Sequence, residues 1–152
     1  AETSARGRLV QLSLDVAPTV GHIKVDGARI ATAVSHLVSN GIRFTRDGGS
    51  VTVRAVRIGD VIEIAVRDTG VGIPESQRSM LFDRTLLLRD SLHHHSSSTL
   101  EFNSAGLGLG LSIARGIAEA HGGSLRVESE VGSGSTFTMR VPDGSGSREK
   151  AA

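Results

Sequence analysis

The sequence Asp68-Thr69-Gly70-Val71-Gly72-Ile73-Pro74 joins an apolar strand to a turn that contains two glycines. The strand, residues 61–68, alternates, so that Ile62, Ile64 and Val66 share one face with Asp68. A carboxylate at the end of such a core-facing row costs free energy unless it has a partner. Asp68 therefore either caps the turn through backbone N–H groups or accepts hydrogen bonds from a buried ligand. The glycines favour a ligand, because they let the backbone approach it closely.

The composition is that of one globular domain without a strong charge bias. The 152 residues are 38% hydrophobic and carry a net charge of +1, so neither nucleic acid nor an anionic membrane surface is expected as a partner. Cysteine is absent, which excludes disulfide and thiol chemistry and suits a cytoplasmic protein. No apolar run reaches membrane-spanning length, so we expect a cytoplasmic domain without membrane contact of its own.

Upstream of the turn the hydrophobic pattern predicts two strands around one long helix. The elements are a strand at 9–16, a helix at 27–44 capped by Asp26, and a strand at 51–55 that pairs antiparallel with 61–68 across Gly59-Asp60. The first strand is expected to turn one apolar row inward, namely Val10, Leu12, Leu14 and Val16. Residues 1–8 lack a pattern and are expected to be the end of an upstream linker or helix.

Downstream of the turn the pattern predicts a short helix, a long irregular segment, a second helix and a hairpin. The second helix begins within 106–111, ends at Gly122-Gly123, and is expected to bury Leu109, Ile113, Ile117 and Ala120. The hairpin pairs 125–129 with 135–141, and its inward side chains are Phe137, Met139 and Val141. We expect the domain to span 9–142 and residues 143–152 to be a disordered tail or linker.

Two further groups of residues suggest an anionic ligand. His36, Asn40 and Arg43 form a second stripe on the first helix, off its core face, and are either an ordinary solvated face or part of a site. Gly106, Gly108 and Gly110 open the second helix, where they either cradle phosphate or serve as a hinge or a close helix contact. Together with Asp68 these groups suit a nucleotide: Asp68 for an adenine amino group, Arg43 and the glycines for phosphates, and Asn40 for magnesium.

These motifs carry a family resemblance. His-Leu-Val-Ser-Asn-Gly-Ile-Arg-Phe-Thr (36–45) resembles the N box of sensor histidine kinases, 68–74 resembles their G1 box, and Gly-Leu-Gly-Leu-Gly-Leu-Ser-Ile (106–113) is similar to their G2 box. His121-Gly122-Gly123 and Gly134-Ser135-Thr136-Phe137 match in place and order. Over about 9–141 the chain thus resembles the catalytic, ATP-binding domain of two-component sensor histidine kinases, which has the Bergerat (GHKL) fold shared with Hsp90, gyrase B and MutL.

The resemblance implies an α+β two-layer sandwich, in which a mixed, largely antiparallel sheet packs on helices and a long ATP lid covers the site at about 83–105. It implies that Asp68 bonds the adenine amino group, that Asn40 ligates Mg²⁺ through the ATP phosphates, and that Arg43 contacts phosphate. The implied nucleotide-binding residues are Asn40, Arg43, Asp68, Gly70, Gly72, Ile73, Gly106, Leu107, Gly108, Leu109, Gly110 and Thr136.

The chain departs from the family pattern at the N box and in the lid. His36 stands where the family has asparagine and where the Hsp90 and gyrase branch has a glutamate base, so hydrolysis of ATP by that branch's mechanism is not expected. Arg84 follows a reduced F box, and we name His36, Arg84 and Arg89 as candidate phosphate contacts. His93-His94-His95 is interpreted as a solvated lid tip rather than a metal site, because adjacent side chains of a loop diverge.

No histidine here is followed by the acidic-apolar-basic sequence of a phosphoacceptor box. We therefore expect a part of a longer protein-histidine kinase that contains no phosphoacceptor and donates the γ-phosphate of ATP to a histidine on a separate dimerisation domain. The expected partners are that domain and a response regulator, and the isolated domain is expected to be a monomer. The alternatives are a degenerate regulatory or protein-interaction module with weak or no ATP binding, and an ATPase of the Hsp90 or gyrase type.

Overall fold

The computed structural model describes residues 2–5, 8–78, 81 and 109–144, with side chains for 9–78, 81 and 110–144. In chain order the elements are β1 (Glu2–Ala5), β2 (Arg8–Val16), a 3-10 turn (Pro18–Val20), α1 (Gly27–Phe44), β3 (Ser50–Ile58), β4 (Val61–Asp68), α2 (Glu75–Arg78), α3 (Leu109–Ala120), β5 (Ser124–Glu130) and β6 (Gly134–Pro142). The predicted strands, hairpins and long helices that fall on described residues are confirmed.

The strands form one six-stranded sheet in the order β1-β2-β3-β4-β6-β5. Among the described strands only β2 and β3 are parallel, and α1 makes the crossover that parallel neighbours require. Helix α1 packs over β3 and β4, α3 packs over β5 and β6, and the two helices contact each other. The architecture is therefore the predicted α+β two-layer sandwich with a mixed, largely antiparallel sheet.

Helix α1 illustrates how local sequence and packing agree. Asp26 caps it, because its Oδ1 accepts a hydrogen bond from the Arg29 N–H at 3.2 Å. Leu37 is fully buried in the core between the helices and the sheet. Gly41 brings the helix close to the sheet, since a Cβ at this position would lie 3.2 Å from both methyl groups of Val51. The C-terminal half of α1 is thus held directly over the ends of β3 and β4.

The outer edge of the sheet differs from the prediction in two respects. Residues 2–5 form a strand rather than the end of a helix, because they have no apolar helical face and pair with the N-terminal half of β2. The inward row of β2 begins with Val10, which is 1% exposed, but Leu14 is 72% and Val16 51% exposed. Helix α1 lies over β3 and β4 instead, so it does not cover the C-terminal half of β2.

The buried face of α3 is also displaced from the predicted one. Ile117 is buried as expected, but Ile113 is 41% exposed. The helix buries Leu111, Ala114 and Ala118. The two alanines allow a close approach that a stripe of branched side chains would prevent, which is why counting large apolar residues misplaced the face.

Residues 143 and 144, the first two of the predicted tail, bond other parts of the domain. Asp143 accepts a hydrogen bond from the Lys24 N–H at 3.0 Å and forms an ion pair with Arg57 at 3.1 Å. The N–H of Gly144 donates to the Lys24 carbonyl at 3.0 Å. Arg57 also donates to the carbonyl of Val20, so these residues tie the end of β6 to the segment before α1. A rule that assigns tails by their glycine and serine content does not detect such contacts.

Candidate functional site

Asp68 lies at the end of β4, opposite Val51 of β3 and Ser135 of β6, and is only 4% exposed. Its Oδ1 accepts hydrogen bonds from the N–H of Gly70 at 2.9 Å and from the N–H of Ser135 at 3.3 Å. The first of the two predicted alternatives, contact with backbone N–H groups, is therefore confirmed. It involves one oxygen only, and no residue in the described part of the chain donates a hydrogen bond to Oδ2.

The carboxylate of Asp68 is a buried hydrogen-bond acceptor with a perturbed pKa. Burial raises the pKa of this carboxyl, and the backbone hydrogen bonds from Gly70 and Ser135 offset part of the increase. Among the described residues no cation forms an ion pair with it. A ligand that brings an N–H donor to Oδ2 would supply the missing partner.

Asn40 lies near Asp68, because its neighbour Gly41 packs against β4, where a Cβ would lie 3.6 Å from the Cβ of Asp68. Asn40 is 4% exposed, and its Nδ2 is buried without a hydrogen-bond partner among the described residues. The prediction that Asn40 lies off the core face is therefore wrong. It follows Leu37 by three residues and so shares the buried face of α1. A buried amide without a partner costs about 1–3 kcal/mol, which is a reason to look for a ligand here.

The other two members of the predicted stripe are half-buried. Arg43 lies in the last turn of α1. His36 faces the start of the described part of α3, since a Cβ on Gly110 would lie 3.4 Å from its Nδ1. The structure therefore brings the N-box stripe against the last glycine of the predicted phosphate cradle. A Cβ at position 110 would be in ordinary van der Waals contact with His36.

The turn at 69–73 is fixed by the chain itself before any ligand is considered. A Cβ on Gly70 would collide with the Phe44 carbonyl oxygen, and one on Gly72 would collide with the backbone of Glu130. Gly72 also has φ +77°, a conformation that favours glycine. Both glycines are thus required by packing, and their contact with a nucleotide stays a prediction, as does that of the buried Ile73.

Thr136 does not lie beside Asp68. It pairs with Arg67, whereas the residue opposite Asp68 is Ser135, whose N–H reaches the carboxylate. Ser135 shares the inner face of β6 with Phe137, and Thr136 faces the other way. The signal was available in the sequence, because the predicted inward residue Phe137 fixes the face of Ser135 through the alternation of the strand.

A groove of about 430 Å³ runs along the turn, lined by Arg46, Thr69, Gly70, Val71, Val131 and Gly132. Asp68 and Asn40 do not line it, although Asn40 has a buried Nδ2 without a partner among the described residues and no described residue donates to Oδ2 of Asp68. We therefore identify the candidate site from the polar atoms of Asp68 and Asn40 and not from this groove.

Several predicted residues lie outside the described ranges. They are Arg84, Arg89, His93, His94, His95, Gly106, Leu107 and Gly108, together with the lid at 83–105. Leu109 is described by its backbone only, as the first residue given for α3. Their proposed roles stay predictions.

The described residues contain neither a cluster of metal ligands nor a membrane-spanning helix. In residues 9–78, 81 and 110–144, no three histidine, aspartate or glutamate side chains gather into a metal-binding cluster. No helix in the described part of the chain is long and apolar enough to cross a membrane.

Comparison with known proteins gives concordant results. Residues 25–145 match the family of histidine kinase-, DNA gyrase B- and HSP90-like ATPases. The chain is 36% identical over 144 residues to the circadian input-output histidine kinase CikA of Synechococcus elongatus, covering 93% of this chain and 18% of CikA. It is 41% identical over 125 residues to the histidine protein kinase DivJ of Caulobacter vibrioides, covering 80% of this chain and 19% of DivJ. The chain thus spans less than a fifth of the length of either relative.

Solved structures agree with the sequence relatives. The mycobacterial sensor histidine kinase MprB superposes with a TM-score of 0.66 at 26% identity, covering 88% of this chain and 81% of that one. Full-length ShkA, solved in complex with AMPPNP, superposes with a TM-score of 0.69 at 25% identity, covering 88% of this chain and 25% of ShkA.

Proposed function

Because the chain belongs to the family of histidine kinase-, DNA gyrase B- and HSP90-like ATPases, we propose that it is the Mg-ATP-binding catalytic domain of a sensor histidine kinase. The domain would bind ATP and present the γ-phosphate to a histidine on a separate dimerisation domain. The resemblance to CikA and DivJ, which are named histidine kinases, supports this branch of the family. The AMPPNP bound to ShkA supports ATP as the ligand.

The observation that carries the proposal is the buried carboxylate of Asp68. Two backbone N–H groups hold Oδ1, and Oδ2 has no partner among the described residues. The exocyclic amino group of adenine is an N–H donor that fits an acceptor of this kind. Guanine has a carbonyl oxygen at the same position of its ring and would meet the carboxylate as a second acceptor, so the site favours adenine.

Asn40 is the residue we propose to hold magnesium together with the ATP phosphates. The amide oxygen of Asn40 would be the magnesium ligand, since magnesium prefers oxygen ligands shared between protein and phosphate. Its buried Nδ2, which has no partner among the described residues, is a donor that would meet a phosphate oxygen. When bound, the ion would neutralise charge that develops on the phosphates. Arg43 would contact phosphate from the last turn of α1, and the backbone at Gly110 would do so from the start of α3.

Catalysis by such a domain would come from positioning and charge neutralisation. His36 offers no carboxylate base to activate water, which disfavours the Hsp90 or gyrase type of hydrolysis. We propose that transfer of the phosphoryl group requires the phosphoacceptor domain, and that a response regulator receives it afterwards. We further propose that the domain acts in the cytoplasm and is a monomer when isolated.

Calorimetric titration of the domain with Mg-ATP tests the proposal, beside the variant Asp68→Asn and the control Asp60→Asn, which changes an exposed turn residue. Asparagine keeps the size of Asp68 but turns an N–H₂ group or a weaker oxygen toward the ligand. Loss of a hydrogen bond to a charged acceptor costs about 1.5–3 kcal/mol, so the affinity should fall about 10- to 150-fold. Asp60→Asn should bind as the parent does.

Equal binding by Asp68→Asn would refute the adenine contact. Absence of binding by the folded parent at millimolar nucleotide would refute the kinase assignment, and would favour the regulatory module as the function of this chain.

A further inference from the structure

Ser129 is a residue of β5 that belongs to none of the sequence motifs, yet it lies where the hairpin β5–β6 meets the turn at 69–73. We propose that Ser129 is a positioning residue that holds this turn in the shape in which Asp68 meets the nucleotide. The inference rests on the proposed function for its ligand. Its geometric part concerns the ligand-free protein and rests on the hydrogen bonds of the Ser129 hydroxyl.

The hydroxyl of Ser129 makes three hydrogen bonds. It accepts from the Ile73 N–H at 2.7 Å and donates to the Gly134 carbonyl at 3.0 Å. It also lies 2.8 Å from the Ser135 hydroxyl. Because the single proton of Ser129 goes to Gly134, Ser135 must be the donor in this third bond. One donor and two acceptor positions are thereby used, so the hydroxyl is fully satisfied and its orientation is fixed.

These bonds connect both ends of the turn to the same hairpin. At the first end, the Ser135 N–H holds Oδ1 of Asp68. At the other end, Ser129 holds the N–H of Ile73, the last N–H before Pro74. Between them the Gly132 N–H donates to the Val71 carbonyl at 2.9 Å. The hairpin thus sets the direction in which the carboxylate of Asp68 points, and Ser129 is the only side chain in the described ranges that bonds the N–H of Ile73.

The hydrogen bond from the Ile73 N–H to the Ser129 hydroxyl can be removed by substituting one side chain. Ile73 is 9% exposed, so its N–H has poor access to water. Without the Ser129 hydroxyl it would be a buried donor without an acceptor, and the turn would have to shift to reach solvent. We expect such a shift to lower the affinity for Mg-ATP about tenfold, because a site that must be reordered binds more weakly than one already formed.

The experiment compares Ser129→Ala and Ser129→Thr with the parent and with Ser133→Ala. Threonine keeps the hydroxyl, and Ser133 is an exposed residue of the same hairpin whose side chain makes no hydrogen bond to a described residue. The first readout is hydrogen exchange of the Ile73 amide in the ligand-free protein, measured by NMR. The second is the dissociation constant for Mg-ATP by calorimetry, at a temperature where circular dichroism shows every variant to be folded.

We expect Ser129→Ala to expose the Ile73 amide to exchange at least tenfold faster and to weaken Mg-ATP binding about tenfold. Ser129→Thr should restore most of both values, and Ser133→Ala should change neither. A role in stability alone would lower the melting temperature of Ser129→Ala but leave the dissociation constant of the folded variant unchanged, and that result would overturn the proposal.

Failure of this proposal differs from failure of the proposed function. If the parent binds no nucleotide, the kinase function is refuted and with it the role of Ser129 in binding, while the exchange of the Ile73 amide still decides whether Ser129 fixes the turn. If the parent binds Mg-ATP and Ser129→Ala does so equally well, the function stands and Ser129 is not a positioning residue.

Discussion

The substitution Asp68→Asn should stabilise the ligand-free domain while it weakens nucleotide binding. The pKa of Asp68 is raised by burial, which means that the folded state holds the ionised form less favourably than the unfolded state does. At neutral pH the charge therefore lowers the free energy of unfolding. Asparagine removes the charge and keeps the size and the acceptor oxygen for Gly70 and Ser135.

The magnitude follows from two opposing contributions. A hydrogen bond to a charged acceptor contributes about 1.5–3 kcal/mol and one to a neutral acceptor about 0.5–1.5 kcal/mol, so the two N–H groups at Asp68 lose roughly 1 kcal/mol each on substitution. Removal of a buried charge gains several kcal/mol. Because the pKa of Asp68 is raised despite both hydrogen bonds, the second contribution is larger. We expect Asp68→Asn to be more stable by on the order of 1 kcal/mol at pH 7.

The assay is urea unfolding of the ligand-free domain between pH 7.5 and 3, followed by circular dichroism, since the chain has no Trp or Tyr to report by fluorescence. The stability gap between variant and parent should be full at neutral pH and narrow as the pH falls through the raised pKa of the folded state. It should vanish below the ordinary pKa of 3.8. Asp60→Asn should show no such gap. A parent that is more stable than Asp68→Asn at pH 7, or a gap that widens on acidification, would refute the reasoning.

Two further predictions follow from the packing. Asn40→Ala removes a buried amide that has no partner among the described residues, so the free energy of unfolding should stay within about 1 kcal/mol of the parent, as for the exposed control Ser39→Ala. Binding of Mg-ATP by Asn40→Ala should be lost in calorimetry. A loss of stability above about 2 kcal/mol would contradict this account. Gly72→Ala should destabilise the domain by about 3 kcal/mol in urea unfolding, because φ is +77° and the added Cβ meets the Glu130 backbone. Gly59→Ala should destabilise it by only about 1 kcal/mol, because φ is +60° but the added Cβ would meet open space. Equal losses of stability would show that the contact with Glu130 is unimportant.

The elements could be predicted because their causes are local. Asp26 caps α1 through its own side chain, and the alternation of β4 follows from neighbouring residues. The exposure of Leu14 is a property that the local sequence does not determine. Its apolar character predicts burial, but its exposure depends on the path of α1 over the sheet, which no window of the sequence contains.

The candidate site was predicted in part for the same reason. Asp68 could be recognised from its position in a strand, and its burial is confirmed. The burial of Asn40 was missed because the pattern was counted from apolar residues alone, although position 40 continues the face of Leu37. Ser129 was missed because its role depends on the register of β5 and β6 and on the contact with Ile73, which lies 56 residues away in the chain.

The register of β4 has a consequence for synthesis on the ribosome. Its partner on one side, β3, precedes it directly, but its partner on the other side is β6, with Asp68 opposite Ser135 and Val61 opposite Pro142. At a synthesis rate of about 5–20 residues per second, β6 is completed on the order of 4–14 s after β4. During this interval the edge of β4 that faces β6 has no partner strand, although α1, which packs over β4, has already been made. The strand that contains Asp68 can therefore complete its pairing only when residues 134–142 have been synthesised.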